Sequence, residues 1–305
     1  MPAASLTRVS KRYAGTIAVD GVTLDVAAGE MFGLIGPDGA GKTTMIRLLC
    51  GLIRADAGSI SVLGLDPVKN HRRLTERVGY FSQRFSLYGD LSIDENIAFF
   101  AEIHGLRRYG DRRTRLLDMM QLTPFRGRLA DRLSGGMKQK LALACTLVHE
   151  PDIIFLDEPT TGVDPVSRRE FWKLLSEFLA QGITIVMTTP YLDEAERCAR
   201  VAMLHEGRIL ALDRPGDLRR GFVGAVLELV AVPQAEAMRV VGEIEAVSDV
   251  RSFGERLHVR LQDAADEEIC GEIEQTLRRR DVTIRSIRRV PPSLEDVFID
   301  RVTRP

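Results

Sequence analysis

No stretch of this 305-residue sequence approaches the run of about 20 apolar residues that a bilayer crossing needs. The opening MPAASLTRVSKRY lacks the apolar core of a secretory leader. The expectation is a chain that stays in the cytoplasm, with any membrane pore it serves built from other subunits. Charge of one sign is missing too. Lys+Arg number 42 against 43 Asp+Glu, a formal net charge of -1, so no overall field gathers nucleic acid through its phosphates and no nucleic-acid partner is expected. The four cysteines, Cys50, Cys145, Cys198 and Cys270, form no CxxC pair. That spacing excludes the usual zinc and disulfide frameworks and leaves reduced, mostly buried thiols.

What is present suits a packed core: 45% of residues are hydrophobic, and the length allows one large and one small domain. The first two thirds alternate short apolar runs with helical patterns, which implies an α/β fold with a mainly parallel sheet. Strands are expected at Met31 to Ile35, Val78 to Phe81, Ile153 to Leu156 and Ile183 to Thr188, several apolar on both faces as buried parallel strands are. Between about 84 and 143 the strand signal disappears, and an inserted helical subdomain is expected. Ser92 and Glu95 form a capping box there, opening a helix with Ile93, Ile97, Phe100 and Ile103 on one face. A later helix is expected from Pro165 to Gln181, capped by Asp164, with Phe171, Leu174, Leu175, Phe178 and Leu179 as its buried stripe. The segment RPGDLRRGF, 214 to 222, reads as a boundary, dividing a domain over 1–220 from a second over 223–305. The order βαββαβ after it predicts a small α+β, ferredoxin-like domain.

The chemistry begins at Gly36, Pro37, Asp38, Gly39, Ala40, Gly41, Lys42, Thr43 and Thr44, which follow a strand and open a helix. This is the pattern of a phosphate-binding P-loop. Glycines let backbone N–H groups close round phosphate oxygens, Lys42 balances the β- and γ-phosphate charge, and the Thr43 hydroxyl is offered to Mg²⁺. Chance alone produces such a pattern in on the order of one chain in a hundred of this length. IIFLDE then places Asp157 and Glu158 at a strand end, Asp157 for the Mg²⁺ shell and Glu158 to polarise an attacking water. Alone, that pair is as consistent with a solvated strand terminus; the upstream loop decides. LSGGMKQK, starting at Leu133, opens a helix with Ser134, Gly135 and Gly136, material that on its own is ordinary capping.

The order of these elements carries more than any one of them. Phosphate loop, Gln83, LSGG, IIFLDE and Asp164 in TTGVDP succeed one another as in ATP-binding-cassette (ABC) nucleotide-binding domains, which the chain resembles over residues 5 to about 220. The resemblance implies a P-loop NTPase fold with a RecA-like parallel core, an antiparallel β part and an inserted helical subdomain. It implies ATP and Mg²⁺ as ligands, and a head-to-tail dimer with each ATP between one loop and the other cassette's LSGG. It further implies that Tyr13 stacks on adenine, that Gln83 touches Mg²⁺ and the attacking water, and that Asp164 crosses the dimer interface. PPSLEDVFI, from Pro291, is similar to the ending of ATPases that drive type-2 ABC exporters. GPDGAGKTT, DPVSRREFW and LSGGMKQK together resemble the first cassette of tandem ATPases in that class. The implied function is an ATP-hydrolysing subunit on the inner face of the cell membrane, powering export of a drug-like or other small substrate. Its implied partners are integral membrane subunits and a second cassette, identical or different. Residues 84 to 92 mix apolar and aromatic groups, as suits either a docking surface for the membrane subunit or a packed loop.

The sequence departs from the family at one telling place. ITIVMTTPYLDEAE puts Pro190 where the family carries a histidine that contacts the γ-phosphate. Proline has no side-chain donor and no N–H. Two readings stay open: a site that binds ATP but turns over slowly beside an active partner, or a tolerated variation, since Glu158 is intact. Met137 in place of the usual glutamine and Asp38 in place of the more frequent asparagine are lesser departures.

Overall fold

A computed structural model describes residues 1–83, 87–262 and 267–303. The chain divides into two compact units, 1–214 and 215–305.

In the first unit, strands β1 (Ala4–Tyr13) and β2 (Thr16–Val26) form a hairpin, followed by β3 (Met31–Ile35) and helix α1 (Lys42–Leu49). Next come β4 (Ala57–Val62), α2 (His71–Thr75) and β5 (Val78–Phe81). Helices α3 (Ile93–Ile103), α4 (Gly110–Met119) and α5 (Gly135–Leu147) come after β5 with no strand between them among the described residues. The unit closes with β6 (Ile153–Asp157), α6 (Pro165–Ala180), β7 (Thr184–Thr189), α7 (Leu192–Ala195), β8 (Arg200–His205) and β9 (Arg208–Asp213). Strands β2, β1 and β4 make an antiparallel sheet. The larger sheet runs β5, β6, β7, β3, β8, β9, parallel except for the edge strand β9. Every residue of β3, β6 and β7 is buried, which is why β3 and the first four residues of β6 read as apolar runs. Phe32, Leu34, Phe155 and Val186 join Met45, Ile46, Leu48 and Leu49 of α1 in one core. Each large side chain buried there stabilises the fold by about 1.5–3 kcal/mol.

The capping box at Ser92 forms, with Glu95 accepting from the Ser92 N–H at 2.7 Å. Of the four residues placed on one face of α3, only the first two are fully buried. Ile93 and Ile97 are buried, Phe100 is half-buried, and Ile103 is 62% exposed because the helix ends there. On α6 the stripe also shifts: Trp172 is buried and Leu179 only half so.

The second unit opens with α8 (Pro215–Arg220), then β10 (Ala225–Val232), α9 (Gln234–Val241), β11 (Val247–Phe253), β12 (Arg256–Leu261), α10 (Glu267–Arg278), β13 (Thr283–Val290) and α11 (Leu294–Thr303). Its boundary corrects the expected break after 220. Residues 215–220 form a helix whose Pro215 and Leu218 are buried and which packs on α11, so they belong to the second unit. The sheet order β11, β12, β10, β13, all antiparallel, is the split arrangement expected of a ferredoxin-like βαββαβ chain. Leu227, Leu229, Val240, Val241, Val259 and Ile273 fill the layer between sheet and helices.

Candidate functional site

β3 ends at Ile35, and residues 36–41 turn back before α1 begins. Two glycines make that turn possible. A Cβ on Gly36 would lie 2.2 Å from the Leu204 carbonyl oxygen, and one on Gly41 would lie 2.2 Å from that of Ala18. Gly41 also sits at φ 103°, a region other residues rarely adopt. It caps α1 without any side-chain hydrogen bond, so among the described residues no cap side chain claims the first N–H groups of the helix, the ready-made anion site of such a terminus. Pro37, Asp38 and Gly39 are exposed and Ala40 is buried beneath them. Lys42 is only 4% exposed. Its ammonium donates to the carbonyls of Gly36 (2.9 Å) and Pro37 (3.0 Å) and lies 3.4 Å from Glu158 Oε1.

The carboxylates meet the loop from β6. Asp157 Oδ1 accepts from Thr43 Oγ1 at 3.0 Å and from Thr188 Oγ1 at 2.7 Å. Asp157 Oδ2 is buried with no hydrogen-bond partner among the described residues. Burial pushes the Asp157 carboxyl above its ordinary range, an effect the two threonine hydroxyls oppose and neighbouring Glu158 adds to. A bare buried carboxylate oxygen beside a threonine hydroxyl suits a hard divalent cation such as Mg²⁺, which takes oxygen ligands. Glu158 has φ 48° and donates its N–H to Thr188 Oγ1 at 2.9 Å. Its Oε2 accepts from Gln83 Nε2 at 2.9 Å. A cavity of about 390 Å³ opens beside it, lined in part by Phe81, Gln83, Leu87, Gln139 and Pro159.

Lys42, Thr43, Gln83, Asp157 and Glu158 are therefore brought together. Ser134, Gly135 and Gly136 are not: among the described residues no hydrogen bond or ion pair joins them to the loop. Ser134 caps α5 by accepting from the Met137 N–H at 3.3 Å, and both it and Gly135 are exposed. Gly136 is pressed against α6, where a Cβ would meet Ser167 Oγ at 2.2 Å. Asp164 caps α6, accepting from the Val166 and Ser167 N–H groups at 3.0 Å each. Tyr13 ends β1, 43% exposed, in the hairpin whose Ala18 abuts Gly41. Pro190 directly follows β7.

Residues 19–161 match the family described as ABC transporter, and residues 214–302 match the C-terminal domain described as ATP-binding protein DrrA1-3-like. The daunorubicin resistance ATP-binding protein DrrA2 of Streptomyces coeruleorubidus is 36% identical over 296 residues, covering 95% of this chain and 92% of the relative. The chain belongs to the ABC transporter ATP-binding family. The probable multidrug ABC transporter ATP-binding protein YbhF of Escherichia coli (strain K12) is 39% identical over 302 residues, 97% of this chain but 51% of the relative, so the chain spans about half of that protein's length. A Nod factor export ATP-binding protein I of Burkholderia pseudomallei (strain 1710b) is 37% identical over 306 residues, covering 96% of this chain and 94% of the relative. Among solved structures, an ATP-binding subunit of an ABC transporter superposes with TM-score 0.65 at 31% identity, covering 71% of this chain and 92% of that one. A dimeric cassette in a post-hydrolysis state with ADP and phosphate superposes with TM-score 0.62 at 26% identity, covering 69% and 98%.

Within this ABC chain, the sequence pattern missed Thr188, whose hydroxyl serves both carboxylate residues, and Thr161, whose hydroxyl lies 3.4 Å from Glu158 Oε2. The one available signal was a polar pair, Thr188 and Thr189, fully buried after the apolar run 185–187. The docking surface or packed loop over 84 to 92 lies partly outside the described residues, since 84–86 are not among them. No helix among the described residues is long and apolar enough to cross a membrane.

Proposed function

We propose that this chain is the ATP-hydrolysing subunit of a type-2 ABC exporter, held on the inner face of the cell membrane by separate integral membrane subunits. The observation that carries the reading is the convergence of Lys42, Thr43, Gln83, Asp157 and Glu158 around the loop, with Asp157 Oδ2 buried and bare. Residues 36–41 cradle the polyphosphate with backbone N–H groups. Lys42 exchanges its loop carbonyls for phosphate oxygens, and Tyr13 offers its ring to adenine. Thr43, Asp157 and Gln83 hold Mg²⁺, which when bound neutralises charge on the phosphate oxygens. Glu158, oriented by Gln83 and by the Thr188 hydroxyl, draws a proton from the attacking water. Ser134 and Gly135, exposed at the start of α5, and the buried Gly136 beside them serve the nucleotide of a second cassette.

The names of the relatives support export of drug-like or other small substrates, and the cavity beside Gln83 supports docking of a membrane subunit there. Pro190 favours slow turnover at this chain's own loop, because no side-chain donor follows β7 at that position. The test is Mg-ATP hydrolysis by the purified chain, with light scattering to follow dimer formation. ATP-dependent pairing and turnover abolished by Lys42→Ala support the reading. Nucleotide affinity indifferent to Lys42→Ala would sink it.

A further inference from the structure

Behind the two carboxylates lies a third that the proposed hydrolysis does not use. Glu194 of α7 is 1% exposed. Its Oε1 accepts from Thr160 Oγ1 at 2.6 Å, and its Oε2 accepts from Thr189 Oγ1 at 2.7 Å. Arg168 of α6 brings Nε to 3.4 Å of Oε1 and lays its guanidinium 4.5 Å from the centre of the Tyr191 ring. Taking a carboxylate out of water costs several kcal/mol, and an apolar residue of similar size would staple this loop at least as firmly. A buried charge at this place is better suited to fixing geometry than to adding stability.

The geometry it fixes is specific. Thr160 lies two residues past Glu158. Thr189 comes after Thr188, and because successive strand residues face opposite ways, β7 offers one hydroxyl to Asp157 and Glu158 and the next to Glu194. Arg168 neighbours Ser167, the residue against which Gly136 is pressed. We propose that Glu194 is a positioning residue: it clamps the chain on both sides of Glu158, at Thr160 and at the end of β7, and ties that clamp through Arg168 to the helix behind Ser134–Gly136. The half-site that primes water and the half-site lent to a second cassette then share one buried carboxylate. The proposal rests on the ATPase reading.

Its test compares Thr160→Val, which keeps shape and removes the hydroxyl, with Thr160→Ser, which keeps the hydroxyl, and with Glu194→Gln, in the full chain. Thr160→Val and Glu194→Gln are expected to lower kcat about tenfold, the scale of one hydrogen bond to a charged group, with KM for Mg-ATP within about twofold of wild type and a cooperative melting transition retained. Thr160→Ser is expected to recover kcat to within about twofold. A Thr160→Val chain with unchanged kcat, a serine variant as slow as the valine one, or a rise in KM matching the fall in kcat would each overturn the positioning role alone. A wild-type chain that neither binds nor cleaves Mg-ATP would instead overturn the ATPase reading beneath it.

Discussion

The phosphate loop and the Ser134 segment of the first unit are built to opposite specifications. The loop half is closed on itself: Lys42 is buried, its ammonium held by two carbonyls and a nearby carboxylate, and both acidic residues lean on Thr188 of β7. The Ser134 half is open: a serine and a glycine stand exposed at a helix start, with one long internal hydrogen bond at the cap. The fold itself assembles the first half, whereas the second, in the proposed reading, acts only when another surface is laid on it.

The strongest way to break this contrast is Glu158→Gln. Turnover should fall by about 10³-fold or more if the carboxylate takes the water's proton, while dimers formed with Mg-ATP persist longer, as size-exclusion chromatography would read. Ser134→Arg comes next, losing about 10²-fold in turnover through the open half. It should leave nucleotide affinity of the single chain unchanged by fluorescence titration, because no hydrogen bond or ion pair among the described residues ties it to the loop. Pro190→His sharpens the contrast from the closed side by restoring a donor after β7, and a gain of roughly tenfold in turnover is expected.

The smallest effect concerns the scaffold under β5. His149 bonds the Val78 carbonyl at 3.0 Å and stacks on His104 with ring centres 3.8 Å apart. Burial, His104 and Arg112 bring its pKa down to about 4 from the ordinary 6.5, against the hydrogen bond to Val78. Because the folded value is the lower one, the unfolded chain binds the proton first. The associated stability is complete above about pH 6.5, falls as pH drops towards 4, and changes no further below. Thermal midpoints should decline over that window, and His149→Phe should flatten the decline.

Much of the closed half was legible because its constraints are local. A buried parallel strand must be apolar nearly throughout, as Met31–Ile35 and Ile153–Asp157 are, and a loop pressed against carbonyls at Ala18 and Leu204 must use glycine. The rest was hidden where partners lie far apart in the chain. Thr188 and Glu194 acquire meaning only when β7 is laid beside β6, and a glutamate in YLDEAE carries no mark of being buried. Helix α8 reads as part of a linker because Pro and Gly punctuate it, although Pro at a first helical turn is favourable and Leu218 anchors it. Ile103 kept the period of α3 but fell on its last residue, beyond the reach of the core.

Glu158 holds a left-handed backbone at φ 48°, a posture costing a side-chain-bearing residue on the order of 1 kcal/mol. Glycine there would relieve that tension, yet it would also take from the buried Lys42 ammonium the carboxylate that lies 3.4 Å away. The melting temperature of Glu158→Gly would weigh the relieved backbone against the stranded lysine.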